Sequence, residues 1–412
     1  MSNSILVVGG GFSGLTAAIE AAELGYDVYI VEKTPFLGGR VAQLNKYFPK
    51  LCPPSCGLEI QFQRIRKNPR IKFFTQAEVV GLTGQKGDYT VKVRISPRYT
   101  APQNVDFGLL ASTLEGEVCS EFEFGLGKRK ALYRSMPFAF PGRYVLDPAA
   151  LSKTDAVRLA GNQFINLNEQ PRTIELGVGA IVVATGWKPY DVTNLTNLGA
   201  GSVKNCITNM QMERLASPCG PTGGHIVRPA DGRAPKRVAF VQCAGSRDQN
   251  HLNFCSYICC MASLKQSLYV AEQYPDAEIT IFYIDLRTPG RYMNVLEKVK
   301  ASPNVRFIKG KVADVQDDPA TGNPVLTVED AVRGEKLTLA YDLVVLATGM
   351  QPTLSGETLP LPVSVDEDGF ICGGEEAGIF AAGCARMPLD VMRSAQSGTA
   401  AALKAVQTVK GR

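Results

Sequence analysis

Histidine is almost missing from this 412-residue chain, which holds only two, His225 and His251. That scarcity argues against zinc chemistry built on imidazole ligands and leaves no Ser-His-Asp arrangement for nucleophilic catalysis. Long hydrophobic runs are missing too: no stretch approaches the roughly 18 apolar residues a bilayer span needs. Met1-Ser2-Asn3-Ser4 leads straight into an apolar segment with no basic region before it, so no signal peptide is expected. Together these absences predict a cytoplasmic location, with docking on a membrane partner left open. Charge of one sign is also lacking. Lys and Arg number 44 against 39 Asp and Glu, a net charge of +5, which is too mild and too dispersed for a nucleic-acid partner. Hydrophobic residues at 45% and charged residues at 20% exclude wholesale disorder.

What the chain does have is sulfur and glycine, with 11 cysteines and 40 glycines. An odd cysteine count in a chain this long is not a disulfide scaffold. In a reducing compartment, thiols are kept for metals or redox work more often than for structural bridges.

Ile5-Leu6-Val7-Val8 is a wholly apolar run, as a parallel strand buried on both faces requires. Gly9-Gly10-Gly11-Phe12-Ser13-Gly14 follows at once, and then a helical pattern with Leu15, Ala18, Ile19 and Ala22 on one face. A second strand, Val28 to Val31, ends at Glu32. Gly9 permits the turn, Gly11 lets backbone approach a pyrophosphate, and Gly14 lets helix and strand pack closely; the Glu32 carboxylate can accept ribose hydroxyls. Strand, glycines, helix, strand and acid in this order predict a dinucleotide site. Its candidate contacts are Gly9, Gly11, Phe12, Ser13, Gly14, Glu32 and Lys33. Gly38-Gly39-Arg40 comes next. Gly39 lets a loop pass near the pyrophosphate and Arg40 can neutralise it, the alternative being a surface turn with a solvated arginine.

Two buried-strand runs repeat one theme, ending in Ala184-Thr185-Gly186 and in Ala347-Thr348-Gly349. A third, Gly378-Ile379-Phe380-Ala381-Ala382-Gly383, precedes a helical pattern from about Met392. With these residues the chain resembles the two-dinucleotide-binding-domain flavoproteins, of the thioredoxin and glutathione reductase type. The resemblance implies an α/β fold of two Rossmann-like domains with FAD in the first. It places the domain crossings at the two Ala-Thr-Gly strands and cofactor contacts at Ala184, Thr185, Gly186, Gly349 and Gly383. The expected boundaries are 1–200 with 341–412 for the FAD domain and 201–340 for the second. Family members carry Asp after the last strand, where this chain has Cys384; Asp390 is the candidate substitute.

A nicotinamide-binding second domain would carry three spaced glycines after its first strand. Val238-Ala239-Phe240-Val241 is instead followed by Gln242-Cys243-Ala244-Gly245-Ser246-Arg247. One glycine cannot provide both the turn and the clearance a pyrophosphate needs. Cys243, Cys255, Cys259 and Cys260 occupy this stretch, in the spacing C-x11-C-x3-C-C. Thiolates without histidines suit an iron–sulfur cluster or an all-thiolate zinc site; structural thiols and a redox disulfide are the alternatives. The adjacent pair is expected to lie outside regular helix if both sulfurs face one cluster.

This cysteine pattern, with Phe282-Tyr283-Ile284-Asp285-Leu286-Arg287, is similar to the HdrA-type flavoprotein subunits of heterodisulfide reductases. The resemblance implies a 4Fe-4S cluster on Cys243, Cys255, Cys259 and Cys260, and a catalytic lysine near the flavin, matching Lys265; a solvated helix lysine is the alternative. Unlike that family, this chain has a single cysteine, Cys119, after Ser96-Pro97-Arg98-Tyr99, and ends soon after the last helix. The short form is similar to the flavoprotein of the quinone-linked membrane oxidoreductases of sulfate reducers. That likeness implies as partners adenylylsulfate reductase, an iron–sulfur HdrA-like subunit and a quinone-reactive membrane subunit. The protein would then sit peripherally on the inner membrane.

Residues 97–145 interleave aromatics such as Phe107, Phe122, Phe124 and Phe140 with Lys128, Arg129, Lys130 and Arg134. This excursion reads as a partner-docking surface or as a satellite core. Cys52 and Cys56 flank prolines that are expected to break any helix there, which disfavours a redox pair. The competing functions are an NAD(P)H-dependent disulfide oxidoreductase using that pair and an FAD-bearing structural scaffold.

Overall fold

The computed structural model describes residues 2–102 and 105–411. Residues 103 and 104, inside the 97–145 excursion, and the two terminal residues lie outside that description. Two parallel five-stranded sheets organise the chain. The first runs in the order Ile379–Ala381, Ala180–Val183, Ser4–Val8, Asp27–Glu32, Ile71–Thr75. Ile5, Leu6, Val7 and Ala180 to Val183 are completely buried, because helices cover one face and an antiparallel three-stranded sheet lies over the other. That sandwiching is what an unbroken apolar run, with no polar alternation, requires.

Helix Phe12–Glu23 packs against the C-terminal helix Val391–Lys410. Their approach is close enough that a Cβ on Gly398 would strike the backbone of Ser13. Glycine at that position therefore sets the distance between the two helices.

The second sheet runs Cys206–Thr208, Leu343–Thr348, Arg237–Ala244, Glu278–Tyr283, Val305–Lys309. Strand Leu343–Thr348 lies inside it, parallel to both of its neighbours. The expected boundary at residue 341 is thus displaced: this Ala-Thr-Gly strand belongs to the second sheet, and the chain returns to the first only after Thr348. Leu343 to Ala347 are fully buried, with hydrophobic layers on both faces. The two crossing segments, Trp187–Pro189 and Met350–Pro352, pair with each other antiparallel and join the two halves.

The excursion spans the whole interval between strands Asp88–Ile95 and Arg172–Val178, which pair with each other. Phe107, Leu114, Leu132 and Leu146 form its own small core, while Phe122 and Met136 join the core of the first half. The aromatics 107 and 122 therefore face inward. Leu109 and Val157 remain exposed at 84% and 76%.

Leu346→Ala is expected to cost about 2–5 kcal/mol, the range for emptying a tightly packed buried site, read from urea unfolding. A cost below about 1 kcal/mol would contradict its place at the centre of the second sheet.

Candidate functional site

The first glycine loop is shaped by close approach. Gly9 has φ +107°, and a Cβ there would strike the carbonyl of Ala184. A Cβ on Gly11 would meet only Gly39 Cα, at 3.9 Å, so the loop leaves room at that point. Helix Phe12–Glu23 starts from Gly11 with no side chain capping it. Its first N–H groups are thus free to hold an anion. Thr185 Oγ1 is buried with no partner. An uncapped helix end, a glycine cradle and an orphaned hydroxyl fit a dinucleotide pyrophosphate.

Glu32 Oε2 accepts the Gly10 N–H at 2.6 Å, and Oε1 accepts the Thr34 N–H at 2.7 Å. Burial pushes the Glu32 carboxyl up, against these donors. Lys33 lies at the surface beside Glu78 and Glu357, at 3.5 and 4.0 Å. Gly383 donates its N–H to Ser397 Oγ, and a Cβ on Gly383 would strike Ser13. Cys384 is buried, with its thiol donating to Leu389 O at 3.4 Å. Asp390 caps the C-terminal helix, its Oδ1 accepting the Arg393 N–H at 2.7 Å.

Between the two halves lies a cleft enclosing about 810 Å³ of atom-free space open to solvent. Arg40, Tyr47 and Trp187 line it from one side, Met261 and Lys265 from the other, with Asp390 at the entry of the C-terminal helix. Arg40 is not a solvated turn residue. Its Nε donates to Trp187 O at 3.1 Å and its Nη1 to Gln43 Oε1 at 2.9 Å.

Nor is Lys265 a solvated helix lysine. Its side chain is 5% exposed, and Nζ lies 3.0 Å from Glu213 Oε1 and 2.5 Å from Lys46 O. Glu213 also accepts from the Asn45 N–H and from Gln266 Nε2, at 2.9 and 2.7 Å. A buried ion pair in this setting gains from every extra donor, and becomes costly when one partner is removed.

All four cysteines of the second domain line one narrow pocket. Cys243 takes the left-handed conformation, φ +55°, where the pairing of its strand with Leu343–Thr348 slips between Val241 and Ala244. Cys255 lies in the loop before the helix; its sulfur accepts the Tyr257 N–H at 3.4 Å. Cys259 and Cys260 open helix Cys259–Gln273, so the adjacent pair is within helix rather than outside it. Their thiols diverge, toward Thr348 O at 3.9 Å and Asp285 O at 3.7 Å, because successive helical side chains point in different directions.

Ser246 and Ser256 hydroxyls meet at 2.6 Å, and Ser256 Oγ accepts the Met350 N–H. This ties the cysteine loop to the crossing strand. Arg247 and Arg287 bracket Asp285, at 2.6 and 3.3 Å, and all three line the cavity. Burial pushes the Cys243 and Cys259 thiols up and the Cys260 thiol to about 11. A metal binding there displaces thiol protons.

Among the described residues, no group of three His, Cys, Asp or Glu sits close enough to hold one metal ion. A cubane cluster spreads its thiolates more widely than a single ion does. The donor set, four cysteines and two nearby guanidinium groups, suits an anionic thiolate cluster. Arg247, Ser256, Asp285 and Arg287 fall within runs already conspicuous in the sequence, whereas Tyr257 and Glu213 carry no local signal.

Cys52 and Cys56 are free thiols, half-buried and exposed respectively. Helix Pro54–Lys67 starts between them. The prolines initiate a helix here instead of breaking one, since proline is well suited to its first turn. Among the described residues, no helix is long and apolar enough to cross a membrane.

Residues 4–51 match the FAD dependent oxidoreductase family. The thioredoxin reductase of T. acidophilum is 15% identical with a TM-score of 0.52, covering 99% of this chain and 98% of that one. The Lactococcus lactis thioredoxin reductase gives 13% and 0.54, covering both chains completely. The fold is thus that of the two-domain, thioredoxin reductase-like proteins, and the first glycine segment is similar to that of FAD dependent oxidoreductases. In sequence, the chain is similar over nearly its whole length to iron-sulfur A subunits of CoB–CoM heterodisulfide reductases. It is 38% identical over 420 residues to the second such iron-sulfur protein of the CoB–CoM heterodisulfide reductase of Methanopyrus kandleri, covering 98% of this chain and 64% of the relative. The counterpart in Methanocaldococcus jannaschii is 35% identical over 431 residues, covering 100% and 65%. The chain therefore spans just under two thirds of the length of these relatives.

Glu213→Ala is expected to destabilise the protein by about 3–5 kcal/mol, the cost of orphaning a buried charge. The double variant with Lys265→Met recovers most of that loss. Thermal and urea unfolding read both, and a change below about 1 kcal/mol would mean the pair is solvated.

Proposed function

We propose that this chain is the FAD-containing electron-transfer subunit of a heterodisulfide reductase-like complex. Its FAD lies in the first domain and reaches the cleft between the halves, and a 4Fe-4S cluster is held by Cys243, Cys255, Cys259 and Cys260. The observation that carries this reading is the adjacency of the two cavities: Tyr257 lines both the cysteine cavity and the cleft. A bound flavin supplies hydride and single-electron chemistry, and a bound cluster supplies single-electron transfer.

The protein's own groups do the rest. Gly9, Gly11 and the uncapped helix end receive the pyrophosphate, and Arg40 balances its charge. Lys265 presents a fixed cation to the cleft, held in place by Glu213. Arg247 and Arg287 stabilise the negative charge of the thiolates, and their pairing with Asp285 keeps them oriented.

Within this reading the protein is closest to QmoA, the flavoprotein of the quinone-interacting membrane-bound oxidoreductase of sulfate reducers. The feature that favours it is the excursion, which keeps one cysteine, Cys119, too few for a ferredoxin-type cluster. The partners are then adenylylsulfate reductase, an iron–sulfur HdrA-like subunit and a quinone-reactive membrane subunit, and the protein lies on the cytoplasmic side of the inner membrane. The exposed Leu109 and Val157 of the excursion are candidate contacts for them.

Protein purified without oxygen is expected to carry iron and acid-labile sulfide in fourfold ratio to flavin, and Cys259→Ser to lose both while keeping flavin. Full flavin with near-zero iron would overturn the cluster. NADH and NADPH are expected to leave the flavin oxidised; rapid bleaching by either would favour a nicotinamide-dependent disulfide oxidoreductase.

A further inference from the structure

The wall of the interdomain cleft contains an unmet hydrogen-bonding demand. Tyr257 Oη, Tyr292 Oη and Asp390 Oδ2 are all buried and all lack a partner, and all three residues line the cleft. A buried polar atom left alone is costly, and a carboxylate oxygen more so than a hydroxyl.

The three side chains are held from several directions. Tyr257 sits in the left-handed region, φ +67°, with the Arg393 guanidinium 4.9 Å above its ring. The ring of Tyr292 packs on that of Phe48 at 5.0 Å. Asp390 is anchored by its other oxygen, which accepts the Arg393 N–H. These contacts bring the cysteine loop, the segment before helix Met293–Lys300 and the C-terminal helix to one wall. The strained φ of Tyr257 is kept although no partner within the protein takes up its hydroxyl, a pattern expected where backbone strain serves a site.

The chemistry of the three atoms is specific. At neutral pH a phenol is protonated and donates, while a carboxylate only accepts. The wall therefore offers two donors and one acceptor. Its complement is a group with two acceptors and one donor, the pattern of a cyclic imide: two carbonyl oxygens flanking one N–H.

We propose that Tyr257, Tyr292 and Asp390 bind the imide edge of the flavin ring system, the two phenols donating to its carbonyl oxygens and Asp390 Oδ2 accepting its N3–H. This rests on the FAD reading above and deepens it. Asp390 is then a ring-binding residue rather than the replacement for the missing pyrophosphate contact at Cys384. The C-terminal helix thereby fixes the ring in register with helix Cys259–Gln273, which carries Lys265 on the other side of the cleft.

The test compares FAD with 3-methyl-FAD, in which a methyl group replaces the N3 hydrogen, on flavin-stripped full-length protein by fluorescence titration. Wild type is expected to bind FAD about 10- to 100-fold more tightly than the methylated analogue, the range for losing one hydrogen bond to a charged group. Asp390→Ser keeps a helix-capping oxygen but removes Oδ2, and is expected to bring that ratio close to one. Tyr292→Phe is expected to weaken both flavins about threefold to tenfold while leaving the ratio unchanged. Equal binding of the two flavins by wild type would overturn the proposal and leave the FAD reading standing, as would a ratio unaltered by Asp390→Ser. Failure of wild type to bind either flavin would overturn both.

Discussion

The slip in pairing at the end of strand Arg237–Ala244 is the constraint from which the second half of the molecule follows. In a parallel α/β sheet, ligands bind beyond the carboxyl ends of the strands, at the point where the strand order reverses. Here that point lies between Arg237–Ala244 and Leu343–Thr348. A glycine loop there would receive a pyrophosphate. The extra residue between Val241 and Ala244 instead turns Cys243 into the left-handed region, a conformation uncommon for anything but glycine. The backbone that would approach a phosphate now presents a thiol, and the loop beyond it brings Cys255 and the start of a helix to the same cavity. The strand order is kept while thiols stand where the glycine loop would be.

That exchange depends on how the two halves are joined. The crossing strands pair with each other, and Ser256 holds the cysteine loop to one of them. The buried ion pair between Lys265 and Glu213 is tied to the first half through Lys46 and Asn45. A second bridge runs from Arg214 to Glu123 of the excursion, at 2.7 Å and nearly fully buried. Buried pairs contribute little net stability but lose much when broken. Their value here is geometric: they hold the cleft and the cysteine cavity in one fixed relation. The excursion therefore braces the interface from one side whatever else it contacts.

The first half was legible because its signals are local. A buried strand, spaced glycines, a helical stripe and a terminal acid stand within one short segment, and the structure reproduces them as strand Ser4–Val8, helix Phe12–Glu23 and strand Asp27–Glu32. The thioredoxin reductase-like class could be read for the same reason. The sulfur pattern was visible as well, as a departure from the glycine loop expected there. What the sequence concealed is non-local. Leu343–Thr348 has the composition of a central strand in either sheet, and only its pairing partners decide its membership. The burial of Lys265 against Glu213 has no local signature, because Glu213 is far away in the chain. Pro54 could either end a helix or begin one, and the packing of Leu58 and Phe62 into the first core decides for beginning. The left-handed Tyr257 has no local signature at all.

The proposed function stands or falls with a cluster held by Cys243, Cys255, Cys259 and Cys260 beside the interdomain cleft. Anomalous diffraction at the iron edge, from crystals grown without oxygen, addresses it most directly. One strong iron peak is expected inside the cysteine cavity, within bonding distance of all four sulfurs. A cavity without iron, in crystals whose cleft contains flavin, would contradict the proposed function.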